Sequence, residues 1–156
     1  NMVVAVVGDI TPDALKRLLD DQFGALPAQY KPDVTVSDVT LAAPSETPSI
    51  VTFDIPQTMI MFGLPSIKRE DPSYYAAHVM NHMLGGGGTL NSRLGKALRE
   101  ERGLTYGVGT YLDPAPHSST LRGRFATRND QAGTALEVLR ETLAKFANGE
   151  ISQAEL

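Results

Sequence analysis

The sequence contains no cysteine, which excludes a disulfide framework, a thiolate zinc site and cysteine catalysis. Excess positive charge is also missing: 14 Lys and Arg residues stand against 18 Asp and Glu residues, so a nucleic-acid partner is not expected. No apolar run approaches the roughly 18 residues of a membrane span, and the start lacks the layout of a signal peptide. These absences leave a globular protein and fit a reducing cytosol and a periplasm equally well, so they do not decide the compartment. A Gram-negative periplasm is the first expectation, with mitochondria and cytoplasm as the alternatives.

The first residues predict one strand followed by one helix. Val3–Val7 is a short apolar run of mostly β-branched residues, which predicts a buried strand. Thr11 is a suitable N-cap and Pro12 suits the first helical position, so a helix is expected to begin there and to end at Gly24.

A domain boundary is predicted after this unit, because residues 28–49 carry several prolines and no sustained hydrophobic period. Residues 1–27 would then close a preceding domain, 28–49 would form a linker, and 50–156 would form a second domain. Ser152 to Glu155 reads as a capping box for one more helix, although the sequence stops at Leu156. We therefore expect the second domain to be truncated at its C-terminal end.

The second domain alternates strand and helix signals, with proline and glycine at the junctions. Strands are predicted over Ile50–Ile55, Gln57–Leu64, Leu104–Leu112 and Ser118–Thr127, and helices from Asp71-Pro72 to the glycine run, from Ser92 to Arg102 and from the cap Asn129 to Gly149. Because the last two strands are joined by a proline turn, they should form an antiparallel hairpin. Strands followed by helices favour an α+β two-layer sandwich.

Two histidines in the first of these helices suggest a metal site. His78 and His82 are four residues apart, so they lie on one helix face and could share a zinc ion. Asn81, however, stands where a zinc hydrolase of this spacing has its glutamate base, and an amide cannot accept a proton from metal-bound water. Packed helix histidines are the alternative, and no third ligand stands out in the sequence.

The run Gly85–Gly88 could cradle a phosphate at a helix start. It lacks the Lys-Ser/Thr ending of a P-loop and follows a predicted helix instead of a strand. A hinge or a closely packed loop is the alternative that the sequence favours.

The segment after this loop carries a family resemblance. A glycine-rich loop, then Ser92-Arg93-Leu94, then Leu98 to Tyr106 with the sequence Leu-Arg-Glu-Glu-Arg-Gly-Leu-Thr-Tyr, is similar to the second, zinc-free domain of pitrilysin-type metallopeptidases, which include insulinase and mitochondrial processing peptidase. The resemblance implies a mostly antiparallel sheet with helices packed on one face. It also implies that zinc is bound by a partner, either an N-terminal domain with a His-x-x-Glu-His motif or a separate homologous subunit.

In that family the second domain supplies an Arg and a Tyr seven residues apart, and Arg99 and Tyr106 match this spacing. Arg102 is the nearest competitor, only four residues before Tyr106. The resemblance implies that the pair reaches across to a peptide held at the partner's zinc, where a guanidinium and a phenol can donate to substrate carbonyls. Gly107 and Gly109 would let a peptide backbone approach the following strand.

Three functions follow from these observations. The leading hypothesis is the non-catalytic, substrate-binding half of a zinc endopeptidase, with no cofactor of its own, a peptide as substrate, and a homo- or heterodimer as one possible arrangement. The same fold also builds structural core subunits of a respiratory complex, which is the second hypothesis. The third is a small autonomous metalloenzyme that uses His78 and His82.

Overall fold

A computed structural model describes residues 2–27, 35–43, 45 and 47–151. The chain divides into two units, Asn1–Val36 and Ser37–Leu156, and the division falls inside the predicted linker. The predicted capping box at Ser152 to Glu155 lies outside the described residues. The assignment of residues 1–27 to a preceding domain stays a prediction.

The described part of the first unit contains the helix α1, Pro12–Phe23, as predicted. Thr11 Oγ1 accepts a hydrogen bond from the Ala14 N–H at 3.3 Å, and Pro12 is the first helical residue. The predicted strand at Val3–Val7 is wrong: no strand is assigned there, and the Val3 and Val7 side chains are 92% and 101% exposed. A strand requires a partner, and none pairs with it in the described part of this unit.

The second unit is built on an antiparallel sheet of three strands, β1 (Gln57–Pro65), β2 (Val108–Pro114) and β3 (Ser119–Arg128). The order is β1-β3-β2, with Met61 opposite Arg124 in one pair and Gly109 opposite Arg124 in the other. The predicted hairpin is therefore confirmed, although its first strand begins four residues later than expected. The predicted strand Ile50–Ile55 is wrong, because no strand is assigned there and its residues are exposed.

Three helical segments follow or interrupt the strands: α2 (Tyr74–Leu84), a π-helix (Gly95–Glu100) and α3 (Ala132–Ala147), which follows a 3₁₀ turn at Asn129–Gln131. Asn129 was expected to cap this last helix, and that is wrong. Its side chain instead accepts from Thr58 Oγ1 at 2.8 Å and donates to the Ile55 carbonyl at 2.9 Å. It therefore connects the start of β1 to the end of β3.

The helices cover one face of the sheet and leave the other face open. Side chains alternate between buried and accessible along β3, as expected for a strand with one covered face. The core is formed by leucines, valines, alanine and phenylalanine from β2, β3, the π-helix and the two α-helices: Leu84, Leu94, Leu98, Leu104, Val108, Leu121, Phe125, Ala135, Val138, Leu139 and Phe146. The α+β sandwich with helices on one face is confirmed, and none of the described helices is long and apolar enough to cross a membrane.

Candidate functional site

Arg99 and Tyr106, paired above by spacing alone, are in contact. The Arg99 guanidinium carbon lies 4.9 Å from the centre of the Tyr106 ring, within the range of a cation–π interaction. Tyr106 is 88% exposed, whereas Arg99 is half-buried. The arrangement therefore holds a positive charge and a phenol together at an accessible surface.

The contact follows from how the π-helix ends. Gly103 has φ +60°, a conformation that L side chains rarely adopt. The Gly103 N–H donates to the Arg99 carbonyl at 2.9 Å, and the Leu104 N–H donates to the Leu98 carbonyl at 2.8 Å. The first bond is that of an αL motif at the C-terminal end of a helix. Together the two bonds reverse the chain and return Tyr106 to the side of the helix that carries Arg99.

We expect Gly103→Ala to lower the free energy of unfolding by about 1–2 kcal/mol, because a Cβ is disfavoured at positive φ. Nothing lies within 4 Å of the position that the Cβ would take, so this cost is conformational and not a collision. Gly103→Asn should lose less, since Asn tolerates this conformation better than Ala. Urea unfolding of the two variants checks the order; equal losses would contradict this account.

Two threonine hydroxyls fix the loop that carries Tyr106, and neither threonine is among the site residues predicted from the sequence. Thr105 Oγ1 contacts the carbonyls of Gly107 and Ala126 at 2.9 and 2.7 Å, and Thr127 Oγ1 donates to the Leu104 carbonyl at 2.6 Å. Both threonines are buried. Since buried polar groups need hydrogen-bond partners, a threonine on the core-facing side of a predicted strand is the signal that could have indicated them.

Arg102, the competitor for Arg99, is engaged elsewhere. Its Nη1 donates to the Ala97 carbonyl at 3.0 Å and lies 2.6 Å from Glu101 Oε2. Its guanidinium thus caps the end of the π-helix, where carbonyls lack partners. The structure brings Arg99, and not Arg102, against Tyr106.

His78 and His82 are exposed on α2, and the described residues contain no group of three His, Cys, Asp or Glu side chains that could hold a metal ion. Asn81 between them is buried and faces the other way, with its Nδ2 3.5 Å from the Thr110 carbonyl. A hydrolytic zinc needs three protein ligands and a base, and this donor set does not fit it.

The glycine run is a packed loop, which is the alternative that the sequence favoured over a phosphate cradle. The N–H groups of Gly85 and Gly86 donate to the Asn81 carbonyl, and that of Gly88 donates to the Gly85 carbonyl. Gly86 forms a parallel bridge with Thr110, whose N–H donates to the Gly85 carbonyl at 3.0 Å. Because most of these N–H groups are used, the loop is not arranged to surround an anion.

A groove of about 620 Å³ lies along the open side of β2 and β3, beside this loop. It is lined by Gly107, Tyr111 and Arg124, among others. Tyr106 directly precedes Gly107, one of the lining residues, so the loop that carries Tyr106 leads into the groove. The volume falls within the range of ligand-binding clefts.

Comparisons with known proteins give the family of the chain. The family model described as the peptidase M16 inactive domain matches residues 1–156. An uncharacterized zinc protease of Mycobacterium leprae is 31% identical over 99% of the chain and 34% of its own length. The chain thus spans about a third of this curated relative.

Solved structures are also similar to this chain. The crystal structure of a peptidase M16 inactive domain from Pseudomonas fluorescens is 32% identical, with a TM-score of 0.63 over 66% of this chain and 25% of that one. A protease from Helicobacter pylori is 19% identical, with a TM-score of 0.65 over 96% of this chain and 36% of that one, a likeness of fold.

Proposed function

Because the chain belongs to the family of peptidase M16 inactive domains, we propose that it is the substrate-binding half of a zinc endopeptidase. Arg99 and Tyr106 contribute to a peptide-cleaving site whose zinc is held by another domain or by a separate homologous subunit. The observation that carries the proposal is the stacked, accessible Arg99–Tyr106 pair beside a groove. Donors held in place before substrate arrives are what stabilisation of a developing oxyanion requires.

The positions of the two side chains support a role in binding and in charge stabilisation. A guanidinium and a phenolic hydroxyl both donate hydrogen bonds, and neither can activate water as a base at neutral pH. Arg99 is half-buried against the ring, which limits the conformations it can adopt before a peptide binds. The pair can therefore orient a carbonyl but cannot start hydrolysis.

Zinc is assigned to the partner because the donors in the described part of this chain do not suit it. His78 and His82 are exposed, and Asn81 cannot act as the base. The name of the Mycobacterium leprae relative, a zinc protease, supports a metal elsewhere in the complete protein.

Backbone pairing with the substrate is a further part of the proposal, and the two sheet edges differ. Gly85 and Gly86 already occupy the outer edge of β2 at Thr110, so a peptide could not pair with the whole of that strand. No strand in the described part of the chain pairs with the outer edge of β1. An extended peptide can add to such an edge through main-chain hydrogen bonds.

Peptide binding by the full-length polypeptide that contains this chain tests the proposal. Treatment with a chelator prevents cleavage during the titration. We expect the double variant Arg99→Ala/Tyr106→Phe to bind a substrate peptide roughly tenfold more weakly, because two hydrogen bonds of about 0.5–1.5 kcal/mol each are lost. Isothermal titration calorimetry measures the change.

Arg102→Ala is the matched control, since it removes a neighbouring guanidinium that contacts Glu101 and Ala97 instead of Tyr106. It should bind the peptide as the wild type does. If Arg102→Ala weakens binding as much as the double variant, the assignment of Arg99 is wrong. If the wild type binds no peptide, the purely structural role is favoured.

A further inference from the structure

The open face of the sheet carries a row of arginines on its central strand. Arg122, Arg124 and Arg128 are separated by even numbers of residues along β3, so their side chains leave the same face. All three are exposed, whereas Leu121, Phe125 and their neighbours of the other parity are buried beneath the helices. The chain has a net charge of −4, yet this face is locally basic.

Two of the three arginines are neutralised by carboxylates. Arg122 Nη2 lies 2.8 Å from Asp113 Oδ2 on the adjacent strand. Arg128 donates to both oxygens of Asp130, at 3.0 and 2.5 Å. The hydrogen bonds from Arg128 lower the pKa of the Asp130 carboxyl, so this carboxylate stays charged at neutral pH.

Arg124, between them, has no ion pair or hydrogen bond within the described residues. Its neighbour on β2 is Gly109, which has no side chain to cover it, and its neighbour on β1 is Met61, an apolar side chain that is 74% exposed. A guanidinium has five N–H donors in a planar fork, which matches a carboxylate. The central arginine is thus the one whose donors remain available.

Arg124 also lines the groove, whose wall begins at Gly107, the residue after Tyr106. The remaining walls include Met59, Tyr111 and Ala126, which are apolar or aromatic. A single available cation among apolar walls is complementary to an acidic side chain with small or apolar neighbours. An extended peptide presents side chains in this way, because alternate residues point toward the same surface.

We infer that Arg124 is a specificity residue, and that the groove on the open face selects peptides with an acidic side chain next to the bond that is cleaved. This inference rests on the proposed function, since it names a class of substrate for the same site. The acidic group is bound as a carboxylate by the Arg124 fork, with Met59 and Tyr111 contacting the flanking side chains. Arg122 and Arg128 add little direct binding because their charges are already paired.

Two peptides of about nine residues, identical except for a central Glu or Gln, test this inference in the full-length polypeptide treated with chelator. The wild type should bind the Glu peptide about threefold to tenfold more tightly than the Gln peptide at low salt. The preference should shrink between about 0.02 M and about 0.3 M salt, because exposed charges are screened. In Arg124→Gln the ratio of the two affinities should fall toward one.

Arg69→Gln is the matched control, because it removes the same charge from a guanidinium that lies over Tyr74 at the start of α2. It should keep the wild-type ratio. Asp113→Asn releases Arg122 and should increase the preference for Glu. Circular dichroism establishes that each variant is folded.

The possible outcomes distinguish a failure of this inference from a failure of the proposed function. If the wild type binds both peptides equally well, the peptide-binding function stands and the acidic preference is wrong. If Arg124→Gln keeps the full preference, the acidic group is recognised elsewhere and Arg124 is not the specificity residue. If neither peptide binds to the wild type, both the inference and the proposed function fail.

Discussion

The double variant Arg99→Ala/Tyr106→Phe, placed in the full-length polypeptide with its zinc-bearing partner, is expected to lower kcat/KM for peptide cleavage by about 10²–10³-fold. A single donor to a developing oxyanion is typically worth about this factor, and donors that act together are not additive. Steady-state kinetics on a fluorogenic peptide measure the loss. Loss of ground-state binding accounts for about tenfold of this fall, so kcat itself should fall by about 10–10²-fold.

The physical reason is that the two side chains are arranged before substrate arrives. Arg99 contacts the Tyr106 ring at 4.9 Å, the αL turn at Gly103 sets the direction of the loop, and Thr105 holds that loop to β3. Substrate binding therefore needs little rearrangement of the protein. Within the double variant, Tyr106→Phe keeps the ring and removes the hydroxyl, whereas Arg99→Ala removes the guanidinium and its contact with the ring.

Zinc content should be unchanged in the double variant, because the described residues contain no group of side chains that could hold a metal ion. The unfolding midpoint should change little, because neither side chain belongs to the core. Arg102→Ala again provides the comparison and should keep most of the activity. A double variant that cleaves peptide at the wild-type rate would falsify the proposed role of the pair.

Gly95→Ala is expected to lower the free energy of unfolding of the second unit by about 2 kcal/mol or more. Gly95 is buried at the start of the π-helix, and a Cβ there would lie 2.7 and 2.8 Å from the carbonyl oxygens of Thr89 and Leu90. These oxygens belong to the backbone, so no change of side-chain rotamer can move them away from the new Cβ. Ala favours a helix over Gly by about 0.8–1.0 kcal/mol, which is smaller than the cost of the collision.

The segment that would have to move also carries the glycine loop beside the groove. Ser92 Oγ donates to the Thr89 carbonyl at 2.7 Å and accepts from the Gly95 N–H at 3.2 Å, so displacement would break these bonds. We therefore expect weaker peptide binding in addition to lower stability. Urea unfolding and peptide titration measure the two effects.

Gly133→Ala provides a matched control for Gly95→Ala. Gly133 is in the first turn of α3, and nothing lies within 4 Å of the position of its Cβ. The same substitution should stabilise the protein there by about 0.4–1 kcal/mol, because it reduces the freedom of the unfolded chain. If both variants unfold at the same urea concentration, the close contact at Gly95 does not decide the result.

Some start and stop signals in the sequence were read correctly. Thr11 and Pro12 begin α1 as expected, whereas the helix predicted from Ser92 to Arg102 is a π-helix over Gly95–Glu100, with Gly103 at positive φ in the turn after it. Such signals act between residues that are close in the chain, so one sequence is enough to read them. The antiparallel hairpin of β2 and β3 is local in the same sense.

Two strand predictions, Val3–Val7 and Ile50–Ile55, are wrong, and they show what residues near in the chain cannot indicate. Both are rich in β-branched residues, yet neither pairs with a strand in the described part of the chain, and both are exposed. β propensity describes a side chain that fits a pleated surface, and it does not supply the neighbouring strand. The choice of Gln57–Pro65 as β1 depends on its register with β3, which is distant in sequence.

The residues of the candidate site also differ in whether the sequence alone could indicate them. Arg99 and Tyr106 were indicated by a family spacing, and the structure adds their contact and the separate partners of Arg102. Arg124 could not be singled out, because its importance lies in what surrounds it. Its neighbours Gly109 and Met61 lie on two different strands. The carboxylates that pair with Arg122 and Arg128 form no ion pair with it.

The sequence by itself determined the absence of thiol chemistry, the bounds of α1, the α+β class and the spacing of Arg99 and Tyr106, because each depends on composition or on residues near in the chain. Only the tertiary structure decided that this pair touches beside a groove, that Asn81 is buried while His78 and His82 are exposed, and that Arg124 keeps its donors available. Strand register and helix packing bring distant residues together, and burial and charge pairing are properties of that assembly.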